Sequence, residues 1–264
     1  MTDELQDSAA RAAESCTQTG FAYRFDWGPN GLRTLAPHAD VVVIVDVLRF
    51  TTAVCAAAEA RCTVMPYRWA DDGAAAFAAA RDAVLAGRRE DGGLSLSPTD
   101  LLQATPGSRI VLPSPNGSAL SMAARDLGAH HVLAGCLRNA AAVAARARDL
   151  ASHGAGIIAI IGAGERWRGA TGPLRPAVED LIGAGAILAA LDPAASISSP
   201  GCSPEAAAAR AAFVAARPRL HETLISTSSG RELLSLGWAD DIAAAAALDV
   251  ATVAPELVDG EFAA

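Results

Sequence analysis

Short apolar runs recur along this chain, each closing on a cluster of Gly, Pro, Asn or Ser, and alanine-rich stretches of helical length alternate with them. The runs 41–45, 109–112, 131–133, 157–161 and 223–226 read as strands. The stretches 51–61, 71–86, 117–127, 139–152, 176–191 and 204–216 read as helices. Strands alternating with helices are what βαβ units and a parallel sheet produce. The expected fold is therefore a layered α/β sandwich with a mostly parallel or mixed sheet. Asn116 and Asn139 stand where helix caps belong, and Pro176 and Pro204 suit a first helical turn, where a missing N–H costs nothing. Residues 1–20 are polar and read as a flexible N-terminal segment, with 21–264 as the α/β domain. The stretch 87–108, interrupted by Gly87, Gly92, Gly93, Pro98 and Pro106, is where that domain would divide into two lobes around a cleft.

Composition narrows the partners. At 264 residues and 52% apolar, the chain buries a full core. A net charge of -8 and a pI near 5.1 oppose nucleic-acid binding, which draws its affinity from neutralising phosphates. A small anionic substrate stays compatible, because a few converging arginines create a positive field inside one cleft. All 21 basic residues are arginine, which removes P-loop, Schiff-base and lysine-assisted phosphatase mechanisms. Cys16, Cys55, Cys62, Cys136 and Cys202 are scattered singly and read as reduced thiols. The acidic start carries no basic, apolar export pattern, and no run reaches the roughly 20 residues of a membrane span. A cytoplasmic protein with no membrane partner is expected, and self-association as a homo-oligomer is left open.

The polar clusters sit at strand ends, where open α/β sheets bind ligands. Asp46, Arg49, Thr51 and Thr52 follow the first strand, Asn116, Gly117 and Ser118 the second, and Asn139 the third. Glu165 follows the fourth, and Ser229 and Arg231 the fifth. Singly, each is an ordinary cap, turn or surface pair. Together they supply what phosphate transfer needs: helix N-termini, fork-shaped arginine donors and carboxylates that suit Mg²⁺. Asp46, Glu165, Glu179 and Asp180 are the metal candidates, with the consecutive pair Glu179 and Asp180 expected to send only one side chain inward. Arg138 and Arg231 are candidates for a second acidic group on the substrate. Competing motifs fail: Gly162-Ala163-Gly164 is followed by Trp167 where a dinucleotide loop needs glycine, Cys55 to Arg61 and Cys62 to Arg68 lack a glycine-rich anion nest, and the histidines lack zinc spacing.

The run Val43-Ile44-Val45-Asp46-Val47-Leu48-Arg49-Phe50-Thr51-Thr52 resembles the signature of the 2-phosphosulfolactate phosphatase family. So do Asn116-Gly117-Ser118, Gly135 with Asn139-Ala140, Glu179-Asp180 with Gly183-Ala184-Gly185-Ala186, and Ser229-Gly230-Arg231 with Gly237, all in family order. The resemblance implies an α/β fold and Mg²⁺-dependent release of phosphate from a sulfonated hydroxy acid, a step of coenzyme M biosynthesis. In it Asp46 would be the main metal ligand or the general base, with an aspartyl-phosphate as a second route. Leu96 stands where the family has asparagine, Cys136 where it has serine, and Arg138 where an apolar residue is common. These departures bear on substrate choice, and they leave open the alternative of a non-catalytic protein binding small anionic metabolites.

Overall fold

The computed structural model describes residues 14–68, 71–167, 172–193 and 201–264. Among the described residues a nine-stranded sheet is built from β1 (Tyr23–Trp27), β2 (Val41–Val45), β3 (Thr63–Tyr67), β4 (Val84–Leu85), β5 (Arg109–Pro113), β6 (His131–Gly135), β7 (Ile158–Gly162), β10 (Glu256–Val258) and β11 (Glu261–Ala263). Side by side, these strands run in the order β1-β7-β2-β6-β10-β11-β3-β5-β4. A separate two-stranded ribbon pairs β8 (Glu165–Arg166) with β9 (Leu174–Arg175). β1, β7, β2 and β6 are parallel, as are β3, β5 and β4. The antiparallel hairpin β10–β11 joins the two blocks, through Glu256↔Leu133 on one side and Phe262↔Val64 on the other. The sheet is thus mixed.

β2 shows why the layers form. All five of its residues are buried, and its branched side chains alternate between two cores. Val41, Val43 and Val45 join one core with α6 (Ala140–Ala151), α7 (Val178–Leu191) and α8 (Pro204–Ala216). Val42 and Ile44 join the other with α1 (Gly28–Leu35), α2 (Phe50–Glu59) and α5 (Gly117–Asp126). Each such side chain contributes about 1.5–3 kcal/mol over exposure. A strand so buried fixes the position of whatever follows it.

Further helices complete the chain: α3 (Asp72–Ala79), α4 (Pro98–Leu101), α9 (Leu220–Ser226), α10 (Ser228–Ser235) and α11 (Ala239–Ala246). The strand expected over 223–226 is part of α9. Leu220 and Leu224, four residues apart, are the buried pair, and the Thr223 and Ser226 hydroxyls donate back to the Arg219 and Glu222 carbonyls. Thr227 ends α9 and caps α10, its Oγ1 accepting from Gly230 N–H at 3.0 Å. Asn116 and Asn139 occupy cap positions, yet neither side chain caps its helix. Ser203 does cap α8, accepting from Ala206 N–H at 3.1 Å.

α7 and α8 pack backbone to backbone at Gly185. A Cβ there would lie 2.1 Å from the Ala209 carbonyl oxygen. Alanine improves helix propensity by about 1 kcal/mol, but an overpacked contact costs about 1–3 kcal/mol and a helix carbonyl yields little. Gly185→Ala is expected to lower the melting temperature by several degrees; an unchanged or higher value in a thermal melt would show that the two helices separate freely.

Candidate active site

The chain leaves β2 directly into Asp46, whose side chain is 6% exposed. Its carboxylate accepts from the Phe50 N–H at 3.3 Å and the Gly117 N–H at 2.9 Å, bringing the carboxyl ends of β2 and β5 together. Gly117 has to be glycine here, since a Cβ would sit 2.2 Å from the Phe50 ring and 2.8 Å from Asp46 Oδ2. Thr51 Oγ1 accepts from the Asp46 N–H and donates to its carbonyl, both at 2.9 Å, and Thr52 Oγ1 donates to the Val47 carbonyl at 2.7 Å. Both hydroxyls fasten the turn from inside rather than facing a ligand. Ser118 Oγ likewise donates inward, to the Leu112 carbonyl at 2.8 Å.

A third connection closes the site from α7. Asp180 accepts from the Val47 N–H at 2.7 Å and the Gly164 N–H at 2.9 Å, tying the turns after β2 and β7 to the start of that helix. Negative charge is favoured at a helix N-terminus. Both members of the Glu179–Asp180 pair are buried, and neither lines the cleft that opens over Asp46. Glu179 acts electrostatically on both Asp46 and Asp180. Burial, reinforced by Glu165 and Glu179, pushes the Asp46 carboxyl from its ordinary 3.8 to about 7, against the pull of its two N–H donors. Burial, then Asp46 and Glu179, drives Asp180 well above the ordinary range.

Arg49 is fixed from the far end of the chain. Its Nη1 donates to Asp241 Oδ2 at 2.6 Å, and its guanidinium lies 4.5 Å from the Trp238 ring centroid. Asp241 is wholly buried and also takes Arg89 Nη1 at 3.1 Å, Ser97 Oγ at 2.5 Å and Thr99 Oγ1 at 3.2 Å. Stretch 87–108, through α4, thereby reaches the site.

A cleft of about 220 Å³ opens over these groups, lined by Asp46, Arg49, Ser114, Asn116, Glu165 and Ser229, with Leu96 and Trp238 as apolar walls. Asn116 Nδ2 donates to Glu165 Oε1 at 3.1 Å, and Ser229 Oγ accepts from Arg175 Nη2 at 3.3 Å. Of the residues named from sequence, Asp46, Arg49, Asn116, Glu165 and Ser229 line the cleft, while Thr51, Thr52, Gly117, Ser118, Glu179 and Asp180 are buried outside its lining. Asn139 and Arg231 lie outside it. Asn139 joins β6 to the C-terminal segment, accepting from Cys136 N–H at 2.9 Å and donating to the Ala134 and Val253 carbonyls. Arg231 is exposed on α10. Arg138 is committed elsewhere, to Glu59 at 2.7 Å and the Ala244 carbonyl at 3.0 Å, which corrects its assignment to the substrate. Sequence reasoning missed Asp241 and Trp238; only Trp238, an aromatic after Gly237, carries a local signal.

The donor set fits a hard cation in one respect that matters. Glu179 Oε2 is buried with no hydrogen-bond partner, beside two further buried carboxylates. Among the described residues no cage of three or more His, Cys, Asp or Glu side chains is assembled. Mg²⁺ is usually held by one or two carboxylates, water and substrate phosphate, so Asp46 and Glu179 would be the pair to hold one, with Asp180 securing the turn through the Val47 and Gly164 N–H groups.

Fold and site together define an α/β protein with an acidic, arginine-bearing cleft at the carboxyl ends of its strands. The chain belongs to the 2-phosphosulpholactate phosphatase family, whose sequence model matches residues 30–260. It is similar to the probable 2-phosphosulfolactate phosphatase of Thermus thermophilus, 36% identical over 138 residues. That alignment spans 50% of this chain and 56% of the relative, a little over half its length. No helix among the described residues is long and apolar enough to cross a membrane.

Proposed function

We propose that this chain is a Mg²⁺-dependent phosphatase of small acidic phosphomonoesters, 2-phosphosulfolactate or a related phosphorylated hydroxy acid, working in the cytoplasm in coenzyme M biosynthesis. The observation that carries this reading is the buried carboxylate of Asp46 facing the same cleft as Arg49, with the orphaned Glu179 oxygen behind it. Asp46 and Glu179 would hold the cation, which, when bound, supplies charge stabilisation for the transferring phosphoryl group. Arg49 has one Nη committed to Asp241 and is steadied on Trp238, so its remaining N–H groups are presented, already oriented, to phosphate oxygens. Asn116 and Ser114 add neutral donors on the facing wall. Without a cation, burial holds the Asp46 carboxyl at about 7; a cation held there would favour its ionised form.

No cysteine lines the cleft, so thiol chemistry has no part in this scheme. Phosphate release is expected to fall at least about 100-fold in excess chelator, to return with Mg²⁺, and to survive thiol alkylation. Undiminished turnover in chelator would sink the metal role. Tight binding of the esters with no release of phosphate would favour a binding protein instead.

A further inference from the structure

Asn116 and Pro115 line not one hollow but two. Beyond them a second groove of about 230 Å³ has apolar walls that include Leu120 and Leu174, with Arg33, Arg68 and Arg166 standing around it. Arg33 bonds the Asn30 side chain, and Arg166 Nη1 donates to the Gly172 carbonyl at 3.1 Å. Among the described residues, none of the three is paired with a carboxylate, whereas Arg49, Arg89, Arg109, Arg138 and Arg146 all are. In a chain of net charge -8, a groove that gathers three unneutralised guanidiniums concentrates positive potential where the rest of the surface has little. An anion with an apolar stem is the ligand such a lining recognises.

The groove is also placed for a particular anion. Glu165 and Arg166 are consecutive in β8, and successive strand side chains point to opposite sides. Glu165 lines the Asp46 cleft and Arg166 lines the groove, with Asn116 on the boundary. Pro115 and Asn116 belong to both linings, so the two hollows adjoin there. We propose that this groove is the subsite for a second acidic group of the substrate, held by Arg33, Arg68 and Arg166 with the carbon stem on Leu120 and Leu174. It rests on the phosphatase reading for the first group only.

The test uses 3-phosphoglycerate and glycerol 3-phosphate, which differ in one carboxylate. The full chain is compared with Arg33→Gln, Arg68→Gln and Arg166→Gln; these side chains are exposed or half-buried, so folding is preserved. Arg125→Gln, an exposed arginine outside both hollows, controls for the lost charge. The ratio of kcat/KM for the acidic over the neutral ester is expected to exceed one in the native protein. Each groove variant should narrow it about tenfold, and the control should leave it unchanged. Calorimetric binding of both esters in chelator, where turnover is absent, reads the same preference independently. If neither ester is hydrolysed but 3-phosphoglycerate binds more tightly through the three arginines, the subsite stands and the phosphatase reading fails. If both are hydrolysed with a ratio that the variants do not move, or neither binds, the subsite is overturned.

Discussion

Asp46→Asn is expected to lower turnover by roughly 10²–10⁴-fold while making the metal-free protein more stable at and above neutral pH. The two effects share one cause. Folding carries the Asp46 carboxyl from an ordinary 3.8 to about 7, so the folded state holds a proton that the unfolded chain has released. Stability from this group is fully present below 3.8 and is lost as pH rises through about 7. A displacement of about three pH units at about 1.36 kcal/mol each amounts to about 4 kcal/mol, the upper end of what the ionised side chain costs here. Asparagine has no proton to lose. It keeps one acceptor, and the contact it weakens is best spared at Gly117 N–H, 2.9 Å away, and given up at Phe50 N–H, 3.3 Å away. Denaturant unfolding in chelator should find the two proteins alike near pH 4 and the variant ahead by a widening margin toward pH 8. Mg²⁺ added at pH 8 should raise the melting temperature of the native protein much more than that of the variant. A variant that is less stable throughout, or that binds the cation equally well, would place Asp46 among structural residues.

The parts of this molecule legible in the sequence are those where local chemistry and tertiary context agree. β2 is unmistakable because five consecutive branched residues tolerate no other use, and α8 falls where Ser203 and Pro204 announce it. β3 hides because Pro66 interrupts its pattern. The β10–β11 hairpin escapes a sequence reading because its strands are three residues each, and Asp259-Gly260, both at positive φ, is the one turn signal of the joint between the two parallel blocks. α9 misleads because Thr223 and Ile225 mimic a strand while Leu220 and Leu224 do the packing. At the site, Asp46 and Arg49 follow from their place after β2. Thr51, Thr52 and Ser118 also belong to that region, but their hydroxyls turn inward, which only the backbone path reveals. Arg138 illustrates the limit: a guanidinium at a strand end looks like a substrate donor until Glu59 is seen beside it.

Asp241 lies beyond any local reading, since it meets Arg49 across 192 positions of sequence, and its replacement carries the second large expected effect. Its wholly buried carboxylate holds Arg49 at 2.6 Å and Arg89 at 3.1 Å while accepting from Ser97 at 2.5 Å. Truncation to alanine removes the acceptor of Arg49, Ser97 and Thr99 and the ion-pair partner of Arg89. Breaking a buried ion pair from one side costs about 3–5 kcal/mol, so Asp241→Ala is expected to lose much of its folding stability. Asp241→Asn keeps the shape and one acceptor, and is the variant that reads function. With the charge gone and one acceptor left for Arg49, Ser97 and Thr99 together, Arg49 is held less firmly, and the donors it presents to phosphate lose their aim. Inhibition by inorganic phosphate should weaken about tenfold, the equivalent of one charge-assisted hydrogen bond. Arg49→Ala should weaken it at least as much. The double variant then separates positioning from mere support: if Asp241 acts through Arg49, adding Asp241→Asn to Arg49→Ala changes phosphate inhibition little further. Losses that simply add would show that Asp241 serves the fold and not the arginine.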